Sequence, residues 1–286
     1  MKRIAVLGAN GQLGTTIKFI AKEDDKIFIF LSREELDITN TQNLQEKFSH
    51  LKLDYCINCA AYTNVEGAEK NIEDAFLINA EGAKNIAEAC KSNGVKLIHV
   101  STDYVFDGTK REPYKTTDKT NPINQYGKSK LSGERHVQEA LESHYIIRTS
   151  WLYSIFGKNF LKTIISKIEN DDALNITTEE QGTPTSCLDL AAFILHIIDV
   201  DTVPFGIYNF SANGSTTWFG FAKEIVKQFN PKRINNISAT DTFKTLAKRP
   251  KYSVLHLEKS EKIYRELGSW QSGVSNMLEA YNNVQD

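Results

Sequence analysis

A glycine-rich turn near the N-terminus restricts the fold of this chain more than any other feature. Between apolar residues 4–7 and a helical pattern at residues 13–21, the turn reads Gly8-Ala9-Asn10-Gly11-Gln12-Leu13-Gly14. Glycine lets the backbone turn tightly and approach a ligand closely, and a helix N-terminus presents free N–H groups to a diphosphate. The turn therefore predicts dinucleotide binding; the alternative is a tight turn with a structural role only.

The first half of the chain alternates between apolar runs and helical patterns. The runs have the length of parallel strands covered on both faces, at residues 4–7, 27–31, 55–59, 97–100 and 145–147. Helical patterns lie between them, at residues 13–21, 41–48, 71–92 and 128–141. This repeated alternation predicts a Rossmann-like α/β fold, a doubly wound parallel sheet with helices on both faces.

The second half of the chain is less regular. The patterns predict helices at residues 160–168, 188–200, 218–229 and 272–281, and short strands at 207–210 and 233–238. Ser215 and Thr216 are the expected N-caps of the third of these helices. We expect residues 1–150 to form the dinucleotide-binding domain, with a segment at about 186–210 returning to it. Residues 151–286 are expected to form mainly a smaller α/β lobe that binds the substrate.

Composition and charge exclude several classes of function. The chain has 34 basic and 36 acidic residues among 286, a net charge of −2, whereas a nucleic-acid-binding surface is distinctly basic. No apolar run approaches the roughly 18 residues that a membrane span needs, and the N-terminus lacks a signal-peptide core. The sequence predicts a cytoplasmic protein with a small-molecule partner and with no nucleic-acid or membrane partner.

The cysteines and histidines do not form a metal-ligand pattern. Four cysteines in a chain without a secretory signal are typical of buried, reduced thiols. Cys56 and Cys59 form a CxxC within an expected strand, where positions three apart face opposite sides of the sheet and cannot share a metal. His99 is expected to be a packed strand residue. We therefore predict no metal site.

The end of the second expected strand indicates which dinucleotide is bound. A cofactor with a free ribose 2′-hydroxyl usually meets an acidic residue about 20 positions after the glycines. Here the strand ends at Ser32 and Arg33, a hydroxyl and a cation that suit the 2′-phosphate of NADPH. Asp37 follows shortly and is expected near the adenine. The residues favour NADPH, with NADH as the alternative; a solvated arginine in an ordinary loop is the structural explanation.

A second motif pairs a phenol with an ammonium group. Tyr126 and Lys130 are four residues apart, so on a helix they share one face. A free tyrosine has a pKa near 10, and an adjacent ammonium lowers that pKa by favouring the phenolate. The spacing alone is common by chance. It becomes specific beside the glycine-rich turn and Ser101-Thr102-Asp103, which end a central strand.

Together these motifs resemble the extended short-chain dehydrogenase/reductases, in which Ser or Thr, Tyr and Lys form the active site. More closely, the chain is similar to the dTDP-4-dehydrorhamnose reductase family over nearly its whole length. The resemblance implies NADPH-dependent reduction of the 4-keto group of dTDP-4-dehydro-L-rhamnose to dTDP-L-rhamnose. The motifs that carry it are Asn58-Cys59-Ala60-Ala61-Tyr62-Thr63, Ser101-Thr102-Asp103-Tyr104-Val105-Phe106-Asp107-Gly108, Arg148-Thr149-Ser150-Trp151-Leu152-Tyr153, Asn159-Phe160, Gln181-Gly182-Thr183-Pro184-Thr185 and Arg249-Pro250-Lys251-Tyr252-Ser253.

The resemblance also implies how the matching residues hold the cofactor. The residues under the diphosphate would be Gly11, Gln12 and Leu13. Those near the adenine would be Asp37 and Ile38, and those along the cofactor at the third strand would be Ala60, Ala61 and Tyr62.

For catalysis and substrate binding, the resemblance implies further roles. Thr102 would hydrogen-bond the substrate carbonyl, Tyr126 would donate the proton, and Lys130 would hold the nicotinamide ribose and tune the tyrosine. Asp103 and Trp151 would contact the sugar. Asn159 and Arg249 are implied more loosely at the nucleotide-sugar end, where structural roles are equally open for them.

Two departures from related patterns bear on the alternatives. Some family members are metal-bridged dimers that use a glutamate soon after the glycine-rich turn, where this chain has Thr15-Thr16. We therefore expect no bridging magnesium, and monomer and homodimer both stay open. Dehydratases of the superfamily carry an Asp-Glu pair after the Thr, whereas Tyr104 follows Asp103 here. The alternatives are another nucleotide-sugar reductase or epimerase, and a non-catalytic NADP-binding regulatory subunit.

Overall fold

Strands and helices alternate through the first half of the chain in a computed structural model that describes residues 1–21, 25–241 and 244–285. The elements are, in chain order, β1 (Arg3–Leu7), α1 (Gln12–Ile20), β2 (Ile27–Leu31), α2 (Thr41–Leu51), β3 (Tyr55–Asn58), α3 (Val65–Lys70), α4 (Ile72–Phe76), α5 (Gly82–Asn93), β4 (Lys96–Thr102), α6 (Gln125–Ala140) and β5 (His144–Thr149).

The second half contains shorter strands and five further helices among the described residues. They are, in chain order, β6 (Leu152–Tyr153), α7 (Phe160–Glu169), β7 (Leu174–Thr177), β8 (Gln181–Gly182), β9 (Thr185–Ser186), α8 (Cys187–Val200), β10 (Gly206–Asn209), β11 (Thr216–Thr217), α9 (Trp218–Phe229), β12 (Ile237–Thr240), α10 (Glu258–Glu261) and α11 (Trp270–Gln285).

Six strands form one parallel sheet in the order β10-β5-β4-β3-β1-β2. The connections run in one direction from β1 to β2 and in the other from β3 onward, so the strand order reverses between β1 and β3. In open α/β sheets a ligand binds at this reversal, in the crevice beyond the carboxyl ends of the strands. The predicted Rossmann-like doubly wound fold is confirmed.

Both faces of the sheet are buried. On β1, Ile4 and Val6 pack into the core shared with α1 and α8, and Ala5 and Leu7 pack into the core under α2, α5 and α6. Because both sides of β1 and β3 are covered, residues 4–7 and 55–57 are continuous apolar runs without a polar face. Strand β10 pairs with β5, so residues 187–209 add a helix and an edge strand to this sheet.

The helix expected at residues 71–92 forms as one continuous helical run from Ile72 to Asn93, but its regular α-helical geometry is interrupted by a π-helical segment. Helices α3 and α4 are separate, and a π-helical segment at Leu77–Glu81 precedes α5. The interruption turns the buried Asn79 side chain toward the backbone of Tyr62. The apolar pattern of residues 71–92 did not predict this segment.

A further core lies in the second half of the chain, where α7, α9 and α11 pack around buried aromatic and aliphatic side chains such as Phe221. Two expectations there are wrong. Thr217, and not Ser215 or Thr216, caps α9, because its hydroxyl accepts from the N–H of Gly220 at 3.1 Å. Residues Pro231–Asn236 form a 3₁₀-helix, so the strand expected at 233–238 begins only at β12.

The cysteines are free thiols, as the sequence predicts. Cys56, Cys90 and Cys187 are buried, Cys59 is half-buried, and all four are free. Among the described residues, no helix is both long and apolar enough to cross a membrane.

Candidate active site

A cleft of about 270 Å³ opens where the strand order reverses, at the carboxyl ends of β1, β2 and β3. Its walls are mostly backbone and small side chains from the loops that follow these three strands. The lining residues are Gly8, Asn10, Gly11, Arg33, Glu34, Leu36, Asp37, Ile38, Cys59, Ala60, Ala61 and Ile78.

The turn after β1 requires glycine at Gly8 and Gly14. Gly8 has φ +73°, and a Cβ there would lie 2.6 Å from the backbone nitrogen of Ala60. A Cβ on Gly14 would lie 2.6 Å from the carbonyl oxygen of Gly8. Both distances are shorter than a real Cβ contact, so α1 and the loop after β3 approach the turn only because these side chains are absent. The approach gives the cleft its narrow floor.

The N-terminus of α1 reaches this cleft at Gly11, which is one of the lining residues. Gly11 is the N-cap and supplies no side-chain cap. Within the described ranges, Oε1 of Gln12 is buried without a hydrogen-bond partner. The Leu13 side chain is buried in the core, so it can meet a ligand only through its backbone. Free helix N–H groups over a glycine floor fit a diphosphate, and the cleft therefore fits a dinucleotide.

Among the described residues that line this cleft, Arg33 of the loop after β2 is the only one with a cationic side chain. Its guanidinium is 74% exposed and lies 3.9 Å from the Asp37 carboxylate, so it can turn to an anion. Asp37 accepts hydrogen bonds from the backbone and hydroxyl of Thr39, which lower the pKa of Asp37. The backbone N–H of Ser32 donates to Glu35 at 2.7 Å, which fixes the loop, and Ile38 is buried at the cleft wall.

Two buried asparagines fix the loop after β3. Asn58 Oδ1 accepts from the backbone N–H of Ala60 at 3.0 Å, and Asn58 Nδ2 contacts His99 Nδ1 at 3.0 Å. Asn79 holds the Tyr62 backbone on both sides, accepting from its N–H at 2.8 Å and donating to its carbonyl at 3.0 Å. His99 is packed as expected. Sequence reasoning missed Asn79, although a polar residue between apolar helix positions was a signal.

Helix α6 brings the phenol to the end of β4. Asn124 caps the helix by accepting from the N–H of Gly127 at 2.7 Å. The helix therefore begins at Gln125, whereas the sequence pattern predicted a start at residue 128. A Cβ on Gly127 would lie 2.2 Å from the carbonyl oxygen of Tyr104, so only glycine lets α6 pack this closely on the turn after β4. Thr102 and Tyr126 thereby face each other.

The pKa of Tyr126 is raised to about 12, mainly by burial, although the facing Thr102 hydroxyl opposes the rise. The expectation that Lys130 lowers this pKa is wrong. Lys130 Nζ donates instead to the carbonyl of Val100 at 2.7 Å. Burial of the phenol therefore decides its protonation, and the phenol stays neutral at physiological pH.

Lys130 is buried on the same face of α6. Burial lowers the pKa of Lys130 to about 8, and the carboxylate of Glu134, one turn farther along α6, opposes that fall. Glu134 forms a buried two-pronged ion pair with Arg148 of β5, with Nη2 to Oε2 at 2.7 Å, and accepts from the Ser101 hydroxyl at 2.5 Å. The i,i+4 spacing from Lys130 could have identified Glu134. Its partner on β5 could not be found from spacing.

The residues expected at the substrate side lie around the end of β4 and a second cavity. Asp103 is buried directly after Thr102. Trp151, at φ +46°, stacks on Trp218 with ring centroids 3.8 Å apart. The second cavity, about 250 Å³, is lined by Phe160, Asn175, Ile176, Thr177, Glu180, Trp218 and Arg249.

Arg249 and Asn159 have protein partners of their own. Nη2 of Arg249 donates to Glu66 at 3.2 Å. The Asn159 side chain caps α7, accepting from the N–H of Lys162 at 3.2 Å and donating to the carbonyl of Ser154 at 2.6 Å. Trp218 and Glu180, joined by a 2.6 Å hydrogen bond, were missed by sequence reasoning.

Within the part of the chain that the structure describes, no group of three or more His, Cys, Asp or Glu side chains is placed to hold a metal ion. The hydroxyls of Thr15 and Thr16 donate to the carbonyls of Ala9 and Gln12, at 3.2 and 2.8 Å. The absence of a bridging magnesium stays a prediction.

Comparison with known proteins gives one consistent result. The family model described as RmlD substrate binding domain matches residues 1–283. A curated dTDP-4-dehydrorhamnose reductase of Sinorhizobium fredii is 35% identical over 287 residues, covering 96% of each chain. The solved reductase of Clostridium acetobutylicum superposes with a TM-score of 0.93 at 37% identity, covering 98% of this chain and 99% of that one. That of Bacillus anthracis, solved in complex with NADP, has a TM-score of 0.91 at 36% identity, covering 98% of this chain and all of the other.

Proposed function

The chain belongs to the RmlD substrate binding domain family, with the dTDP-4-dehydrorhamnose reductases, and from this membership we infer its reaction. It reduces the 4-keto group of dTDP-4-dehydro-L-rhamnose with NADPH and forms dTDP-L-rhamnose. The observation that carries the assignment is the meeting of Thr102 and Tyr126, with Lys130 one turn along α6, at the carboxyl edge of a sheet whose neighbouring cleft fits a dinucleotide.

The chain's residues divide the work of cofactor binding. The turn at Gly8 and Gly11 and the start of α1 hold the diphosphate, and Arg33 and Ser32 meet the 2′-phosphate. Ala60, Ala61 and Tyr62 form the wall along the cofactor. Lys130 holds the nicotinamide ribose. Bound NADPH supplies the hydride that the reduction requires.

Proton transfer is the task of Tyr126. As hydride reaches C4, negative charge develops on the keto oxygen, and the phenol gives its proton to that oxygen while Thr102 donates a hydrogen bond to it. A phenol with a pKa of about 12 is still protonated at neutral pH, as an acid in the reductive direction must be. An alkoxide is more basic than this phenolate, so the transfer is favourable.

On the substrate side we propose that the Trp151 ring contacts the sugar, and that Trp218, which stacks on this ring and lines the second cavity, supports it. Asp103 acts at the sugar end, next to Thr102. Arg249 contacts the nucleotide-sugar end, because its guanidinium places a positive charge in the lining of the second cavity. Asn159 is assigned an indirect role, since its carboxamide fixes the start of α7 beside Phe160.

The cellular setting follows from the reaction. Sugar-nucleotide biosynthesis consumes NADPH in the cytoplasm, and we place the protein there, with the nucleotide sugar as its partner. We propose a monomer or homodimer without a bridging magnesium, because Thr15 and Thr16 offer no carboxylate.

The assignment is tested by mixing purified protein with NADPH and dTDP-4-dehydro-L-rhamnose and following absorbance and product. We expect one NADPH oxidised per keto sugar, with dTDP-L-rhamnose identified by NMR. Epimerised sugar without net NADPH loss would assign the chain to the epimerases. Tight NADPH binding without turnover of any keto sugar would assign it to the regulatory subunits.

A further inference from the structure

The Thr102 hydroxyl has more neighbours than it has protons. Its oxygen accepts from the backbone N–H of Tyr104 at 3.2 Å and lies 3.0 Å from Oδ1 of Asp103. It also faces the Tyr126 phenol. A hydroxyl has one proton to donate and two lone pairs to accept with. The direction of its contact with Asp103 therefore determines what Thr102 can offer a substrate.

The two protonation states of Asp103 give opposite directions. An ionised carboxylate only accepts, so it takes the Thr102 proton and leaves Thr102 with nothing to donate to a keto oxygen. A neutral carboxyl can donate to the Thr102 oxygen through Oδ1. Thr102 then accepts from Tyr104 and Asp103, and its own proton is available to the facing Tyr126 oxygen or, when substrate is bound, to the keto oxygen.

We propose that Asp103 is a positioning residue that works in its neutral form, donating to the Thr102 oxygen so that the Thr102 proton points at the substrate keto oxygen. This inference rests on the proposed reductase function and adds to it. It assigns Asp103 a role exerted through Thr102, in addition to any contact with the sugar.

The surroundings of Asp103 suit a neutral carboxyl. The residue is 2% exposed, and its Oδ2 is buried without a hydrogen-bond partner among the described residues. No ion pair involves it in the described part of the chain. An ionised carboxylate so placed is strongly disfavoured, whereas a neutral one is tolerated.

In the described part of the chain, no titratable group around Asp103 places a cation in ion-pair contact with its carboxyl. Tyr104 in its own turn and Tyr126 on α6 are both neutral phenols held by burial. The charge of Lys130 interacts with Glu134, Cys59 and His99. The charge of Arg249 interacts with Tyr104, Glu180 and Glu66. The hydroxyls of Ser253 and Thr102 and the backbone N–H groups of Asp103 and Tyr104 favour the carboxylate, but burial dominates and raises the pKa of Asp103 to about 7.

The test compares the pH dependence of kcat/KM in the wild type, Asp103→Asn, Asp103→Ala and the exposed control Asp74→Asn. The neutral carboxyl is lost as pH rises through about 7, so wild-type kcat/KM should fall about tenfold from pH 6 to pH 8. An asparagine amide can donate to Thr102 at every pH, so Asp103→Asn should lose this decline and approach the wild-type value at pH 6. Asp103→Ala should be low at every pH, and Asp74→Asn should keep the wild-type profile.

A second measurement is independent of turnover. In ligand-free protein carrying ¹³C-labelled aspartate, the carboxyl resonance absent from Asp103→Asn should titrate near pH 7. Thermal unfolding and NADPH binding verify that each variant is folded.

Each contrary outcome has one meaning. Titration of that resonance near the ordinary pKa of about 4 would overturn the inference. An Asp103→Asn enzyme whose kcat/KM keeps the wild-type decline with pH would also overturn it. So would an Asp103→Asn enzyme that binds NADPH but is inactive at pH 6. In all three cases, a wild type that oxidises NADPH with the keto sugar still supports the proposed reductase function. A wild type that oxidises no NADPH at pH 6 overturns the proposed function and this inference together.

Discussion

The proposed cofactor cleft and the proposed substrate side are built from different groups, backbone atoms in the cleft and side chains on the substrate side. The cleft has a floor of backbone atoms, which meet because Gly8 and Gly14 carry no side chain. The substrate side is built from side chains, above all the stacked pair Trp151 and Trp218, on segments far apart in sequence. A site made of backbone depends on local conformation and is visible in a short motif. A site made of side chains depends on packing and is not.

Between the two regions lies helix α6, which carries Tyr126 and packs on the sheet that carries the cleft. It is held by side chains as well as by the close backbone approach at Gly127. Glu134 joins it to Arg148 of β5 and to Ser101. Asn79 joins it to the loop after β3 by donating to Ser129 at 2.9 Å. Backbone contacts therefore account for the cleft, whereas α6 also depends on side-chain contacts. The following predictions test which kind of contact each region depends on.

The largest expected effect is on folding, from Glu134→Gln. This change leaves the Arg148 charge buried without a carboxylate, which typically costs about 3–5 kcal/mol of unfolding free energy. Urea unfolding measures it. The control Glu139→Gln changes an exposed glutamate on the same helix and should stay within about 0.5 kcal/mol of the wild type. A loss below about 1 kcal/mol for Glu134→Gln would mean that α6 is not held by this pair.

The next effect is on cofactor binding, from Gly8→Ala. The new Cβ would lie 2.6–2.9 Å from Ala60 and Cys59 backbone atoms and displace the loop after β3. We expect NADPH affinity, measured by fluorescence titration, to fall about 100-fold, as when binding groups shift by about 1 Å. Gly94→Ala is the matched control, because φ is +68° but no atom lies within 4 Å of the added Cβ. Equal NADPH affinities in the two variants would contradict the steric explanation.

The smallest effect should be confined to the substrate side. Trp218→Ala removes the ring behind Trp151, and loss of this stack should raise the KM for the nucleotide sugar about tenfold. The Kd of NADPH should stay within about twofold of the wild type, since the two regions are separate. Phe205→Ala, which truncates an exposed aromatic ring packed on Tyr145, is the control. A matching rise in the Kd of NADPH would remove the distinction between the two regions.

The sequence predicts most of the first region. The glycine-rich turn, the strands and the placement of Thr102 at the end of β4 follow from turn chemistry and hydrophobic runs, which are local properties. It also places Tyr126 and Lys130 on one helix, because their spacing is a property of the helix itself. The family resemblance supplied the reaction, which these patterns alone would have left at hydride transfer.

What the sequence could not predict depends on tertiary packing. The pKa of Tyr126 rises because folding buries the phenol, and no spacing rule reports burial. The π-helical turn at Asn79 accompanies hydrogen bonds from this buried side chain to the backbone of Tyr62, which is 17 residues away in the chain. Trp218 meets Trp151 only when β6 and α9 are placed side by side by the core of the second half.

The central claim is that the Tyr126 phenol supplies the proton for ketone reduction, and Tyr126→Phe tests it most directly. Single-turnover NADPH oxidation with the keto sugar should slow about 1,000-fold, while the Kd of NADPH stays within about twofold of the wild type. A Tyr126→Phe enzyme that reduces the keto sugar within about tenfold of the wild-type rate would contradict the account.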